Sequence, residues 1–571
     1  MTAAKTSGVD KGRATFAPSV PASASLDLSQ GWHATLQASA SDFEPKHFLE
    51  AMLLQLLHPE YNSSTILRAE ILVDESMLRS RGETVEQDPS SKKRLRAPEY
   101  EGYECTRRIR RRLVPKHAPR DKPMEQECWI YRERRRQNEE DAAHDETEDD
   151  SAAHLVVLQV DLELLQTEAD GKIPYYHPAV AGLAFRYLGK SPDATVIVDL
   201  FPLPSEPFTR PLPVDHRLHR TALALLKHLH GVAIGTKNGY EKRIIHDVLT
   251  DRDSVQDLYH QLKERYRADI ESPLVDARIT FRWMLREWQE VTDPTKHVWE
   301  DVAIAAWLIV LWRDLYKDNG GNPPGGFVDV GCGNGLLVYI LTREGFSGYG
   351  LDLRERKSWS AYSPVPDLRT TTLHPPELLS LAEPPFPSGS FLIGNHADEL
   401  TPWIPLFAAK TPSSAFLNIP CCLHTHSARF TPQDWKISAE FLQTLPSQIK
   451  PTPTLLGSSA KVVEAQGSCS NSAVSTAPIL LSTRGRTDAY QLYLAEITLQ
   501  CGFVPEREAL RIPSTKNFGM VGRTRIWDVV YEDSSSEIER QWQKRIDEYI
   551  KDVVEQARTE FKPRKQKGSC I

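Results

Sequence analysis

The chain has 571 residues, 40% of them hydrophobic, with a formal net charge of −8. That length exceeds one ordinary domain, and the charge balance excludes a globally basic nucleic-acid binder, so any pull toward a polyanion must come from a local patch. No run nears the ~20 apolar residues of a membrane span, and eight cysteines without a CxxC pair are too sparse for a disulfide scaffold, so a reducing cytosolic or nuclear compartment is expected.

Residues 1–42, rich in Ala, Ser, Thr and Gly, are expected to be disordered and lack the apolar segment of a secretory signal. Residues 43–200 read as an α+β region, with a helix over 45–58 and strands over 64–74, 155–163 and 195–200. Within it, Lys92–Arg136 carries sixteen Lys and Arg with Tyr103, Trp129 and Tyr131 among them, and an acidic run follows at 139–150. Two readings stand: a solvated charged insertion over about 80–152, or an RNA-backbone contact. Residues 201–295 read as a helical linking region, with apolar residues at helical spacing in 218–231, 253–269 and 275–290.

The strongest helix signal covers 297–317, with Pro294 upstream and Asn319-Gly320-Gly321 ending it. From 296 to 532 the pattern alternates strand, glycine turn and helix, which predicts a parallel sheet with crossover helices. A polar insert at 457–477 interrupts it. Residues 533–571 close the chain with a charged helix and a basic tail.

The chemistry begins at GFVDVGCGNG (326–335). Phe327, Val328 and Val330 form a buried strand ending near Asp329, and Gly331, Gly333 and Gly335 make a D-x-G-x-G-x-G turn into the helix LLVYIL. Glycine serves where φ is positive or a ligand approaches the backbone, and the helix start offers free N–H groups. Asn334 lies within the turn. Asp352 ends the next strand, placed to accept both hydroxyls of a ribose. A dinucleotide dehydrogenase would need its third glycine at 336, which is Leu336. The register is that of an S-adenosylmethionine-dependent methyltransferase.

Ligands of open parallel sheets lie at the carboxyl ends of the strands. A fourth strand over 390–394 ends in Asn395, His396, Asp398 and Glu399, and a fifth over 415–419 ends in Cys421, Cys422, His424 and His426. The N-P-P-Y segment that grips an exocyclic amine is absent. A histidine beside two carboxylates suits a hydroxyl acceptor, whose proton a base removes as the methyl moves. Asp398, His396 and Glu399 are therefore the catalytic candidates, and Asn395 joins the cofactor set. The cysteine and histidine spacing does not match a zinc site, and no metal is expected.

FVDVGCGNGLLVYILTREGFSGYGLDLRERKSW (327–359), GNHADELTPWIP (394–405) and IPCC (419–422) closely resemble the fungal tRNA uracil-2′-O-methyltransferase family. Segments 239–266, 292–312 and 510–517 (LRIPSTKN) resemble its further blocks. The resemblance implies an α/β fold: a Rossmann-like class I S-adenosylmethionine-dependent methyltransferase domain with an N-terminal α+β extension. It implies S-adenosylmethionine as donor, the 2′-hydroxyl of uridine 44 in serine tRNA as acceptor, and a cytoplasmic enzyme. Asp329, Gly331, Gly333, Gly335 and Asp352 correspond to its cofactor site. Tyr240, Lys242 and Arg243 offer an aromatic ring and two cations for RNA, or else begin a helix with a solvated charged face, and Arg511 and Lys516 either bind RNA phosphate or cap a strand. A methyltransferase acting on another RNA, a protein or a small molecule, and a non-catalytic tRNA-binding protein, are the competing readings.

Overall fold

The structure is a computed structural model that describes residues 16–21, 28–29, 31–61, 63–76, 97–116, 120–134, 154–168, 170–189, 192–206, 211–240, 246–268, 294–362, 364–432, 461–463, 480–482, 485–530 and 536–560. Two compact units divide the chain, Met1–Glu241 and Lys242–Ile571. The acidic run, the helix expected over 275–290, the basic tail, residues 1–15 and most of the 457–477 insert lie outside the described residues.

The first unit contains β1 (His33–Ser39), α1 (Pro45–Leu57), β2 (Ile66–Asp74), β3 (Tyr103–Pro115), β4 (Met124–Glu133), β5 (His154–Val160), α2 (Leu162–Glu168), β6 (Gly182–Leu188), β7 (Thr195–Phe201) and α3 (Arg217–Lys237). Its seven strands form one antiparallel sheet in the order β1-β7-β6-β5-β4-β3-β2. Leu218, Ala222, Leu226, Leu229 and Ala233 make one buried stripe along α3. The stripe shares a core with Phe48 and Met52 of α1 and Ile130, Val156 and Val198 of the sheet. The helix expected within a linking region is thus an integral layer of this unit.

Within the basic run, residues 103–115 and 124–133 fold into β3 and β4 rather than a loose insertion. In β3, Ile109, Arg111, Leu113 and Pro115 are buried at every second position, the period of a strand. Three of its other cations find carboxylates: Arg107 reaches Asp74 at 2.6 Å, Arg108 reaches Glu127 at 3.0 Å and Arg110 reaches Glu125 at 2.7 Å. Counting cations along the chain hid this cross-strand neutralisation, because the partners lie on other strands.

The second unit contains α4 (Arg252–Ala268), α5 (Pro294–Leu315), β8 (Phe327–Val330), α6 (Leu336–Arg343), β9 (Gly348–Asp352), β10 (Leu368–Thr370), α7 (Pro375–Ser380), β11 (Phe391–Asn395), α8 (Ile404–Lys410), β12 (Ala415–Ile419), β13 (Lys461–Val463), β14 (Leu480–Ser482), α9 (Arg486–Gln500), β15 (Glu506–Ala509), β16 (Phe518–Gly522), α10 (Ile526–Val530) and α11 (Ser536–Glu560). Its main sheet runs β10-β9-β8-β11-β12-β16-β15. The first five strands pair in parallel, and β16 alone runs against them, pairing antiparallel with both β12 and β15. The chain moves outward from β8 to β9 and β10, then returns to β11 on the other side. A crevice therefore opens at the carboxyl ends of β8 and β11.

Residues 302–309 of α5 are buried on every side. Trp312 stacks on Phe327 and meets Phe391 edge-on, so the helix lies against β8 and β11. That contact matters because the start of α5 carries two acids of the site. At the other end of the chain, α11 buries Trp542, Ile546, Ile550, Val553, Val554 and Ala557 in the same core as β8 and α9. It belongs to this unit. Among the described residues, no helix is long and apolar enough to cross a membrane.

Candidate active site

The turn after β8 has φ of 83° at Gly331, 54° at Gly333 and 77° at Gly335, values that L side chains rarely adopt. The glycines serve different ends. A Cβ on Gly333 would meet nothing within 4 Å, so its backbone faces open space, whereas a Cβ on Gly335 would strike Leu368 Cδ1 at 2.7 Å. The amides of Gly331 and Cys332 donate to the Leu351 carbonyl at 2.8 and 2.9 Å, tying the turn to β9. Asn334 Oδ1 accepts from Leu336 N, the first amide of α6, at 2.8 Å.

Asp352 ends β9 and is buried. Its carboxylate accepts from the amides of Gly333 (3.0 Å) and Arg354 (3.2 Å) and from Arg356 Nη2 (3.3 Å). The segment after β9 folds over the glycine turn. Trp359 Nε1 donates to Gly333 O, and the hydroxyls of Ser358 and Tyr362 donate to Asn334 O, each at 2.9 Å. Sequence reasoning missed Arg356, Ser358, Trp359 and Tyr362 as site residues. Three of them lie in the LRERKSW segment that carried the resemblance.

It also missed two neighbouring acids of α5. Asp301 accepts from Asn395 Nδ2 at 3.3 Å and is hydrogen-bonded by the Asn334 side chain. Burial, and then the charge of Glu300, push its carboxyl up to about 7. Asp329 is 1% exposed and its Oδ1 has no hydrogen-bond partner. Burial, then the charges of Asp301 and Asp352, hold it well above the usual carboxylate range. Buried carboxylates of this kind are relieved by a cation. S-adenosylmethionine brings an ammonium and a sulfonium, so donor set, open glycine face and unpartnered oxygen all fit it. Asp329, Asp301, Asn395, the glycine turn and Asp352 are the residues that would hold it.

At the end of β11, His396 and Asp398 adopt left-handed backbone angles, φ of 55° and 47°. His396 Nε2 lies 3.1 Å from Glu300 Oε1, while its buried Nδ1 has no hydrogen-bond partner. Burial alone would raise Glu300, but the hydrogen bond and charge of His396, with a hydrogen bond from Ser514, leave it below its ordinary value. With Nε2–H donated to the Glu300 carboxylate, the lone pair of the imidazole sits on Nδ1. Ser514 comes from the LRIPSTKN block, so four separate sequence blocks meet within this network.

Cys421 donates its thiol to Asp398 Oδ1 at 3.1 Å. One possible metal-ligand atom from each of Asp398, Cys421 and Cys422 lies within 4.8 Å of the others. Glu399, Cys422, His424, Arg429 and Arg486 line a cavity of about 530 Å³ beside them. His426 is structural: burial pushes its pKa down to about 4, and its ring meets Pro402 O at 3.2 Å.

The residues expected to contact RNA divide differently. Tyr240 is 71% exposed and lies in the first unit, while Lys242 and Arg243 lie outside the described residues. In the second unit Lys516 is exposed, but Arg511 is engaged by Asp247, with Nε donating to Oδ1 at 2.8 Å. Asp247 stands far away in sequence, so that pairing was not visible from composition.

Residues 13–243 match the family described as "TRM44-like, N-terminal bet v1-like domain", and residues 249–372 match "Predicted AdoMet-dependent methyltransferase". A Neurospora crassa protein named tRNA (uracil-O(2)-)-methyltransferase is 35% identical, covering 90% of each chain. Proteins of the same name from Schizosaccharomyces pombe and Kluyveromyces lactis are 32% and 29% identical, covering 90% and 85% of this chain and 89% and 87% of their own. With this cofactor cradle and a match at that identity over nearly its whole length, the chain belongs to the tRNA (uracil-O(2)-)-methyltransferase family.

Proposed function

We propose that this chain transfers a methyl group from S-adenosylmethionine to the 2′-hydroxyl of a uridine in tRNA, at position 44 of serine tRNA, in the cytoplasm. The single observation that carries the reading is the placement of the Glu300–His396 pair at the end of the strand beside the glycine turn. The strand order of the second unit, with five parallel strands and a closing antiparallel pair, supports a Rossmann-like class I methyltransferase domain. The names of the relatives support the acceptor.

When bound, S-adenosylmethionine supplies an electrophilic methyl on its sulfonium. The chain has then to orient a ribose hydroxyl in line with that methyl and take its proton. In this mechanism His396 Nδ1 accepts the 2′-hydroxyl proton, and Glu300 holds the ring and stabilises the resulting imidazolium. The His396 side chain is 25% exposed while its Nδ1 is buried, so the segment after β11 has to shift on substrate binding for this nitrogen to meet the acceptor. Asp398 and Glu399 orient the acceptor, and the Cys421 thiol fixes the Asp398 carboxylate. Asp329 and Asp301 bind the cationic end of the cofactor, and Asp352 its ribose.

Purified protein should transfer labelled methyl to unmodified serine tRNA transcript, and a 2′-deoxyuridine at the acceptor position should abolish transfer. Absence of incorporation into any tRNA refutes the reading.

A further inference from the structure

The first unit encloses a cavity of about 540 Å³ between α1, α3 and the sheet. Met52, Leu56, Leu158, Leu183 and Phe185 supply apolar wall, yet one side is built of hydrogen-bond donors. Arg111 is 4% exposed and gives its hydrogen bonds to neutral oxygens: Gln126 Oε1 at 2.8 and 3.1 Å, Gln55 O at 3.2 Å and Leu56 O at 2.5 Å. Gln126 Nε2 lies 2.8 Å from His177 Nε2, and His177 Nδ1 lies 2.7 Å from Pro178 O. Gln55 is 9% exposed, and its Nε2 has no hydrogen-bond partner. No carboxylate is among the lining residues.

Such an arrangement is costly without an occupant. A buried donor left unmade costs about 1–3 kcal/mol, and the Arg111 guanidinium offsets its burial with Cys128 and the charge of Glu60, neither of which lines the cavity. The mouth carries exposed Arg217 and Arg220 on α3. Beside it Tyr175, 60% exposed, has the guanidinium carbons of Arg217 and Arg120 at 4.9 and 5.2 Å from its ring centroid. Apolar walls, inward donors, cations at the rim and an exposed ring with arginines over it are what an unstacked nucleotide needs.

We propose that this cavity receives one unstacked nucleotide of the tRNA, with base carbonyls against Gln55 and Arg111, flanking phosphates on Arg217 and Arg220, and the neighbouring base on Tyr175. The inference rests on tRNA being the substrate and adds a second recognition site outside the methyltransferase unit.

The test uses the full chain and a fluorescein-labelled serine tRNA transcript in anisotropy titrations. Ala224 is exposed on α3 and lines the cavity, so Ala224→Trp plugs it without changing charge or the buried core. Gln55→Leu removes the unpartnered Nε2 donor of a lining residue at similar size. The plug should weaken tRNA binding at least tenfold and Gln55→Leu severalfold, with S-adenosylhomocysteine affinity unchanged by calorimetry. Arg217→Glu with Arg220→Glu should weaken binding and reduce the salt slope by about 1–2. Affinity within twofold of wild type for the plugged, folded protein overturns the proposal. So does dodecanoate that binds wild type at micromolar concentration, is lost in the plug and is not displaced by tRNA. Wild-type chain that binds tRNA, with binding weakened by the plug, yet transfers no methyl would instead refute the catalytic reading and leave this one standing.

Discussion

Three side chains of the second unit lend themselves to separate experiments. Glu300→Gln keeps the shape beside His396 but removes the charge that orients it. The variant should lose roughly 10–100-fold in kcat, at the low end of general-base contributions, with the KM for S-adenosylmethionine little changed and the basic limb of the pH profile displaced. An unchanged profile would leave Glu300 as packing alone. Asp301 gives a pH dependence with a definite sign. Its folded pKa of about 7 exceeds the ordinary 3.8, so its stabilising contribution is full below about pH 4 and lost as pH rises through 7. Asp301→Asn should therefore raise the ligand-free Tm relative to wild type more at pH 8 than at pH 5, while weakening S-adenosylmethionine binding. Parallel wild-type and variant melting curves across that range would rule this out. Asp352→Ala should weaken cofactor binding by about 1.5–3 kcal/mol, the scale of charged hydrogen bonds, as read by calorimetry. The loss includes displacement of Gly333 and Arg356, which the carboxylate also holds.

Among the elements, β15 and the segment after it organise the far side of the site. Glu508 of β15 is 1% exposed and accepts from the amides of Asp247, Val248 and Leu249, each at 2.9 Å. His246 Nδ1 meets Ala509 O, and Arg511 pairs with Asp247. This strap fixes the chain ahead of α4 to the strand whose continuation brings Ser514 to Glu300. Glu508→Ala should cost about 2–3 kcal/mol, because three amides lose one acceptor and partly exposed residues recover water only in part. Chemical denaturation measures it, and a loss below 0.5 kcal/mol would mean the strap contributes little. The glycine turn, β11 and β12 were legible before the fold because short apolar runs and glycines report local geometry. The strap was not, since Asp247 and Arg511 lie 264 residues apart. The basic run of β3 failed for the same reason, its carboxylates standing on β2 and β4.

For the whole molecule, the two units of the chain carry different chemistry, a donor-lined cavity in one and the cofactor cradle in the other. Hydrogen–deuterium exchange should thus show S-adenosylhomocysteine protecting amides of 331–336 and 352–362, with none protected in Met1–Glu241. Protection extending into the first unit would contradict this assignment of roles. The sequence by itself determined the second unit's strand succession, its glycine turn and its family, because strand period, tight turns and motif order are properties of neighbours along the chain. Only the tertiary structure decided which acids stand beside those glycines, that Glu300 holds His396, that α3 belongs to the first unit and that Arg511 is occupied. Burial and charge pairing depend on groups brought together from remote positions, and no local pattern records which groups those are.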